Sequence, residues 1–201
     1  AAPAVPAAGL DVTGLVTVDG QEAAAGGSFF SGGRVVTARD SEATINLGSF
    51  GRVRYAADSA GALSFADAAT SGSLEAGRLT VSKPEGVSAT FTTADATVAA
   101  GPEGAAVFSI DVAGGATAVT SLSGRVTLRG AGAGREVAPG ETATASRGGV
   151  VTQDDDDDDD GLSNEEKAAI WLGVGGGIAL VIILATTLGD DDEEVVISPS
   201  R

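Results

Sequence analysis

The sequence predicts an all-β domain, a sandwich or roll of about ten to twelve short strands, followed by an acidic linker and one C-terminal transmembrane α-helix. Three observations carry this expectation. Short runs rich in Val, Thr and Ile recur between positions 15 and 145, separated by glycine, which is the pattern of short strands joined by tight turns. The stretch Ala168–Leu188, AAIWLGVGGGIALVIILATTL, holds no charged residue over 21 positions; as a helix it rises about 32 Å against a bilayer core of about 30 Å. Acid runs fence that stretch on both sides, Asp154–Asp160 with Glu165 and Glu166 before it and Asp190–Glu194 after it. A buried hairpin helix is the alternative, but such a helix is seldom apolar all round and so sharply bounded by charge.

In chain order, residues 1–9 read as a flexible leader rich in Ala and Pro, and residues 10–149 as the β domain. An acidic linker at 150–163, the helix at 164–188 and an acidic tail at 189–201 complete the organisation. The strand runs are Leu15–Val18, Arg34–Thr37, Thr44–Leu47, Arg52–Tyr55, Ala62–Phe65, Arg78–Val81, Ala89–Thr92, Thr97–Ala99, Val107–Val112, Ala118–Leu122, Arg125–Leu128 and Thr142–Ala145. Asp67–Gly77 comes nearest to a helical period, and Gly72 interrupts it. Four strands open on a shared unit, Gly33-Arg34, Gly51-Arg52, Gly77-Arg78 and Gly124-Arg125. Their arginines form either a basic stripe for an anion or acidic partner, or ordinary solvated strand faces.

At the helix, Ser163 and Glu166 make an S-x-x-E capping box that starts it near Asn164. Trp171 falls at the membrane interface, where its amphipathic ring is favoured. Ala169, Gly173 and Gly177 repeat every four residues and give a small-residue face on which another membrane helix packs closely. The expected partners are therefore membrane-embedded proteins and the lipid bilayer. Net charge argues against nucleic acid: residues 1–153 carry 14 acids and 10 bases (−4), residues 154–201 carry 14 acids and 2 bases (−12).

The chain contains no cysteine and no histidine, which removes thiolate chemistry, disulfides and the commonest general base. Lys83 adjoins Ser82, but neighbours on a strand point to opposite faces, so the two make no nucleophile–base pair. No enzyme and no catalytic residues are expected. For metal, Asp156, Asp158 and Asp160 with Gly161 match the opening of a D-x-D-x-D-G calcium loop, yet Lys167 stands where the bidentate Glu belongs. A weak calcium site and a self-repelling acidic spacer are the two readings of this run. The small-residue opening AAPAVPAAG is of the kind signal peptidase leaves, so the β domain is expected outside the cytoplasm.

The succession VVTARDSEATINLGSFGRVRY, SLEAGRLTVS, ATFTTADATVAAGPEGAAVFSIDV, SLSGRVTLRG and VAPGETATAS resembles the FecR-like extracytoplasmic domain family. Val36, Thr37, Ile45, Leu47 and Val53 match its opening, and Leu74, Gly77 and Val81 its middle. Thr93, Ala96, Val98, Gly101, Phe108, Ile110, Gly124, Val126, Gly140 and Glu141 match its end. The resemblance covers about residues 12–147 and implies a periplasmic all-β domain on the bacterial cytoplasmic (inner) membrane. FecR-like signalling proteins place a cytoplasmic helical segment and the span before that domain; here the domain comes first, and the family's usual "G-T-x-F" reads Gly101-Pro102-Glu103 with an insertion before Phe108. The expected role is a non-catalytic accessory or scaffold subunit of a larger membrane assembly, respiratory or photosynthetic among the candidates. The alternative is an envelope sensor or a ligand-binding, adhesive module.

Overall fold

The computed structural model describes residues 7–131, 134–146 and 149–152. Seventeen strands run through them, and no α-helix. The first nine are β1 (Ala7–Thr13), β2 (Val16–Val18), β3 (Gln21–Glu22), β4 (Gly27–Phe30), β5 (Gly33–Thr37), β6 (Glu42–Asn46), β7 (Arg52–Tyr55), β8 (Ala60–Ala66) and β9 (Ala69–Lys83). The rest are β10 (Ser88–Thr92), β11 (Thr97–Ala100), β12 (Ala106–Ala113), β13 (Ala116–Ser123), β14 (Val126–Arg129), β15 (Arg135–Val137), β16 (Thr142–Ser146) and β17 (Gly149–Thr152). The domain is all-β, as the glycine-punctuated runs predict.

The strands pair into two ladders that share β9. The first runs β4-β1-β6-β7-β9-β12-β13-β16-β17, the second β3-β2-β5-β8-β9-β10-β11-β14-β15. Every pairing is antiparallel except β9 with β10. β9 manages two memberships because its 15 residues divide at Gly77: Ala69–Ala76 pair in the second ladder, Gly77–Ser82 and Lys83 in the first. Alternate residues of both ladders turn inward and join one hydrophobic cluster that includes Phe29, Val35, Ile45, Tyr55, Leu63, Leu74, Leu79, Phe91, Phe108, Ile110 and Leu128. Each large apolar side chain removed from water there contributes about 1.5–3 kcal/mol.

The crossing at Gly77 is locked by hydroxyls. Gly77 has φ +82°, and its neighbour Arg78 donates its backbone N–H to Ser59 Oγ at 2.9 Å. Ser59 Oγ lies 3.1 Å from the Arg78 carbonyl, to which it donates, and the buried Ser59 amide donates to Thr37 Oγ1 at 2.9 Å. These bonds satisfy backbone groups that leave one ladder before reaching the other, where an unpaired group would cost free energy.

All twelve predicted runs are strands, with bounds shifted by a few residues. Five further strands, β1, β3, β4, β15 and β17, raise the count above the expected ten to twelve. β1 takes in Ala7–Gly9 from the stretch read as leader, and β17 reaches Thr152, inside the stretch read as linker. Within Asp67–Gly77, Asp67 and Ala68 make a turn and the rest is strand rather than near-helix. Only Thr70 and Leu74 are buried there, four apart, which imitates a helical period. The inward position between them is Gly72, and the Phe91 ring fills its place: a Cβ on Gly72 would lie 2.9 Å from that ring.

Among the described residues no helix is long and apolar enough to cross a membrane. The stretch 164–188, read as the span, lies outside them.

Candidate functional site

The sequence-predicted site residues fall into two groups. Asp156, Asp158 and Asp160, the helix-packing Ala169, Gly173 and Gly177, and the interfacial Trp171 all lie outside the described residues. The glycine–arginine units lie inside them, and the structure shows where each arginine goes.

Arg34 on β5 makes a two-pronged pair with Glu75 on β9: Nη1 meets Oε1, and Nη2 donates to Oε2 at 2.7 Å. This bond holds the Glu75 carboxyl below its ordinary range and the Arg34 guanidinium above its own. Arg78 donates from Nε to Asp111 Oδ2 at 2.7 Å, directly across the β9–β12 register. Arg125 lies 3.6 Å from Glu136. The basic stripe is thus largely neutralised within the domain, and pairs this exposed add little to the stability of the fold. Arg54 is likewise held by Glu42.

Arg52 differs. It opens β7 opposite Asn46 on β6 and opposite Ser82 on β9, and its Nε donates to Asn46 Oδ1 at 3.2 Å. With Gly48, Gly51 and Ser82, these residues line an open depression of about 330 Å³ on the outer face of the first ladder. The turn Leu47–Gly51 forms its rim, closed by the Leu47 amide donating to the Gly51 carbonyl at 2.9 Å. Gly51 has φ +106°, and a Cβ there would sit 2.1 Å from the Ser82 carbonyl oxygen. No other residue fits that position, so the depression stays unfilled by the chain itself. A second concavity of about 340 Å³, lined by Leu10, Val18, Asp19, Gln21, Glu22, Ala23, Ala24, Gly27 and Ser28, opens where the β3 and β4 edges end the two ladders.

Lys83 and Ser82 point to opposite sides of β9, Lys83 buried and Ser82 exposed. Lys83 Nζ donates to the Gly104 carbonyl at 2.6 Å and to the Pro84 carbonyl at 3.3 Å, and burial pulls its pKa below the ordinary value, with Glu85 opposing. It ties the β9–β10 connection to the β11–β12 connection. That role was not read from the sequence; a lone lysine at the end of an apolar alternation was the available signal. Glu141 acts similarly at the β15–β16 corner. Its Oε2 accepts from the Ala138 amide at 2.7 Å and its Oε1 from Arg135 at 3.0 Å, and together they hold its pKa below the usual carboxylate range. Among the described residues no three Asp or Glu side chains are grouped to hold a metal.

No family model and no curated protein sequence matches the chain. Among solved structures, the fold is similar to a protein from Parabacteroides distasonis described as a "putative anti-sigma factor", in crystal structures at 1.65 Å and 2.50 Å resolution. The TM-score is 0.52 and the identity 16% in both, over 69% of this chain. The chain spans 64% and 63% of those two chains, under two thirds of their length. Likeness at this identity concerns the fold.

Proposed function

We propose that this protein is a non-catalytic, membrane-anchored accessory or scaffold subunit, its β domain held outside the cytoplasm of a bacterial cell by a C-terminal helix that packs in a larger membrane assembly. The observation that carries the reading is how the described domain uses its ionisable groups. Arg34, Arg54, Arg78, Arg125 and Arg135 each meet a carboxylate, Lys83 and Glu141 close corners, and the concavities are open and lined by neutral groups with isolated charges. That disposition of charges supports a binding surface rather than a catalytic one. The span rests on the uncharged stretch Ala168–Leu188 and the acid runs beside it, and the compartment on the motif resemblance over about residues 12–147.

The helix is the part expected to enter the assembly, through Ala169, Gly173 and Gly177. Replacing both Gly173 and Gly177 with Leu closes that face to a neighbouring helix. The double variant is expected to stay in the membrane fraction and to lose its co-purifying partners in mild detergent. Retention of the same partners in a native pull-down removes the helix as the point of attachment.

Topology is the second test. Protease added to intact spheroplasts is expected to digest the β domain and leave a short anchor fragment that contains the stretch Ala168–Leu188. A fully protected β domain reverses the orientation.

A second reading, a FecR-like envelope sensor or ligand-binding module, draws support from the similarity in fold to the putative anti-sigma factor and from the motif resemblance over about residues 12–147. The two readings differ in what deletion does. Loss of a sensor changes sigma-factor-dependent transcription, whereas loss of a scaffold lowers the amount of intact membrane complex.

A further inference from the structure

Five strands or half-strands begin at or just after a glycine followed by an arginine, the fifth such pair being Gly134-Arg135. In four of them a carboxylate of the domain answers the arginine: Glu75, Asp111, Glu136 and Glu141. Arg52 is the exception. Its register partners on both sides, Asn46 and Ser82, are neutral, and no carboxylate among the described residues lies within ion-pair distance of it. The nearest acid on that face of β6, Glu42, is already held by Arg54. Arg52 uses Nε on Asn46, which leaves its Nη pair for the depression it lines with Gly48, Gly51 and Ser82.

We propose that this depression is a binding site for a single carboxylate, with Arg52 as its fork. A guanidinium and a carboxylate match edge to edge through two parallel N–H···O bonds. One cation balances one carboxylate charge, whereas a phosphate dianion is left half-neutralised there. The Asn46 and Ser82 side chains stand beside the fork as neutral hydrogen-bonding groups, and Gly51, fixed by its φ and by the Ser82 carbonyl, keeps the floor free of a side chain. The carboxylate comes from a small free acid or from an Asp, Glu or chain terminus of a peptide, and the test separates the two.

The full chain, labelled with ¹⁵N-arginine and held in detergent micelles at about physiological ionic strength, is titrated while the arginine Nε–Hε signals are followed. The probes are acetate, the blocked peptide acetyl-Gly-Asp-Gly-amide and inorganic phosphate. The Arg52 signal, identified by its loss in Arg52→Lys, is expected to shift saturably with both carboxylates at millimolar Kd, and with phosphate at least fivefold more weakly. Arg52→Lys keeps the charge but loses the fork, so binding followed on the Ser82 and Gly51 amides of uniformly ¹⁵N-labelled parent and variant is expected to weaken about tenfold. Arg34→Lys leaves binding unchanged. At least fivefold tighter binding of the peptide than of acetate assigns the site to a protein carboxylate; equal binding assigns it to a free acid. A non-saturating shift, a shift shared equally by the other arginines, or unaltered binding in a folded Arg52→Lys variant overturns the proposal.

Discussion

Gly77→Ala is expected to destabilise the β domain by about 3–5 kcal/mol, a large share of the 5–15 kcal/mol typical of a folded domain. Gly77 sits where β9 leaves one ladder for the other. Its φ of +82° strains any residue with a Cβ, and the added atom would lie 2.3 Å from Ser59 Oγ and 2.6 Å from the Asp58 carbonyl oxygen. Those contacts are with backbone and with the hydroxyl that receives the Arg78 amide, so relief of the overlap breaks the hydrogen bonds that lock the crossing. Gly20→Ala supplies the control, because Gly20 has φ +80° but open space around its Cβ position. It isolates backbone strain, worth about 1 kcal/mol. Urea denaturation of the two variants separates the contributions; equal losses from both mean that the crossing tolerates a side chain and that the Ser59 contact is loose.

Most of the ladder was legible because alternation is a local property: Gly33-Arg-Val-Val-Thr37 and Thr142-Ala-Thr-Ala145 read as strands from their own residues, and both lie in strands. What escaped depends on partners distant in sequence. β1, AAGLDVT, is built from weak strand formers and is held by β4 and β6 on its two sides. The pattern of β9 was hidden because Phe91, 19 positions beyond Gly72, occupies the inward space that a side chain at 72 would take. Asp19-Gly20, with φ 52° and 80°, makes the two-residue turn between β2 and β3; that hairpin was readable from the dipeptide itself, but the strand after it has only two residues. At the candidate site the glycine–arginine units were visible, and their fates were not. Arg34 and Glu75 are 41 positions apart, Arg78 and Asp111 33 apart, so only the register distinguishes a neutralised arginine from Arg52.

Tyr55→Phe is expected to leave the domain as stable as the parent near neutral pH, or more stable by about 1 kcal/mol, and to remove a steep loss of stability in alkali. Tyr55 on β7 is fully buried, and its hydroxyl has no hydrogen-bond partner among the described residues. A buried hydroxyl without a partner forfeits its bond to water, so its deletion costs little. The same burial pushes the phenol pKa far above its ordinary value. The unfolded chain releases that proton near pH 10 while the folded chain keeps it, so above that pH the folded state binds one more proton. Stability then falls with rising pH at about 1.4 kcal/mol per unit, roughly 2 kcal/mol by pH 11.5. Lys83 has the opposite sign: its folded pKa is lowered, so stability rises with pH as the folded state sheds its proton first, and this contribution cancels between parent and variant. The chain has one tyrosine, so phenolate absorbance reports Tyr55 alone. In the parent it is expected to appear in one step with alkaline unfolding; a gradual rise near pH 10 in the still-folded protein shows that water reaches the hydroxyl and removes the argument for Tyr55→Phe.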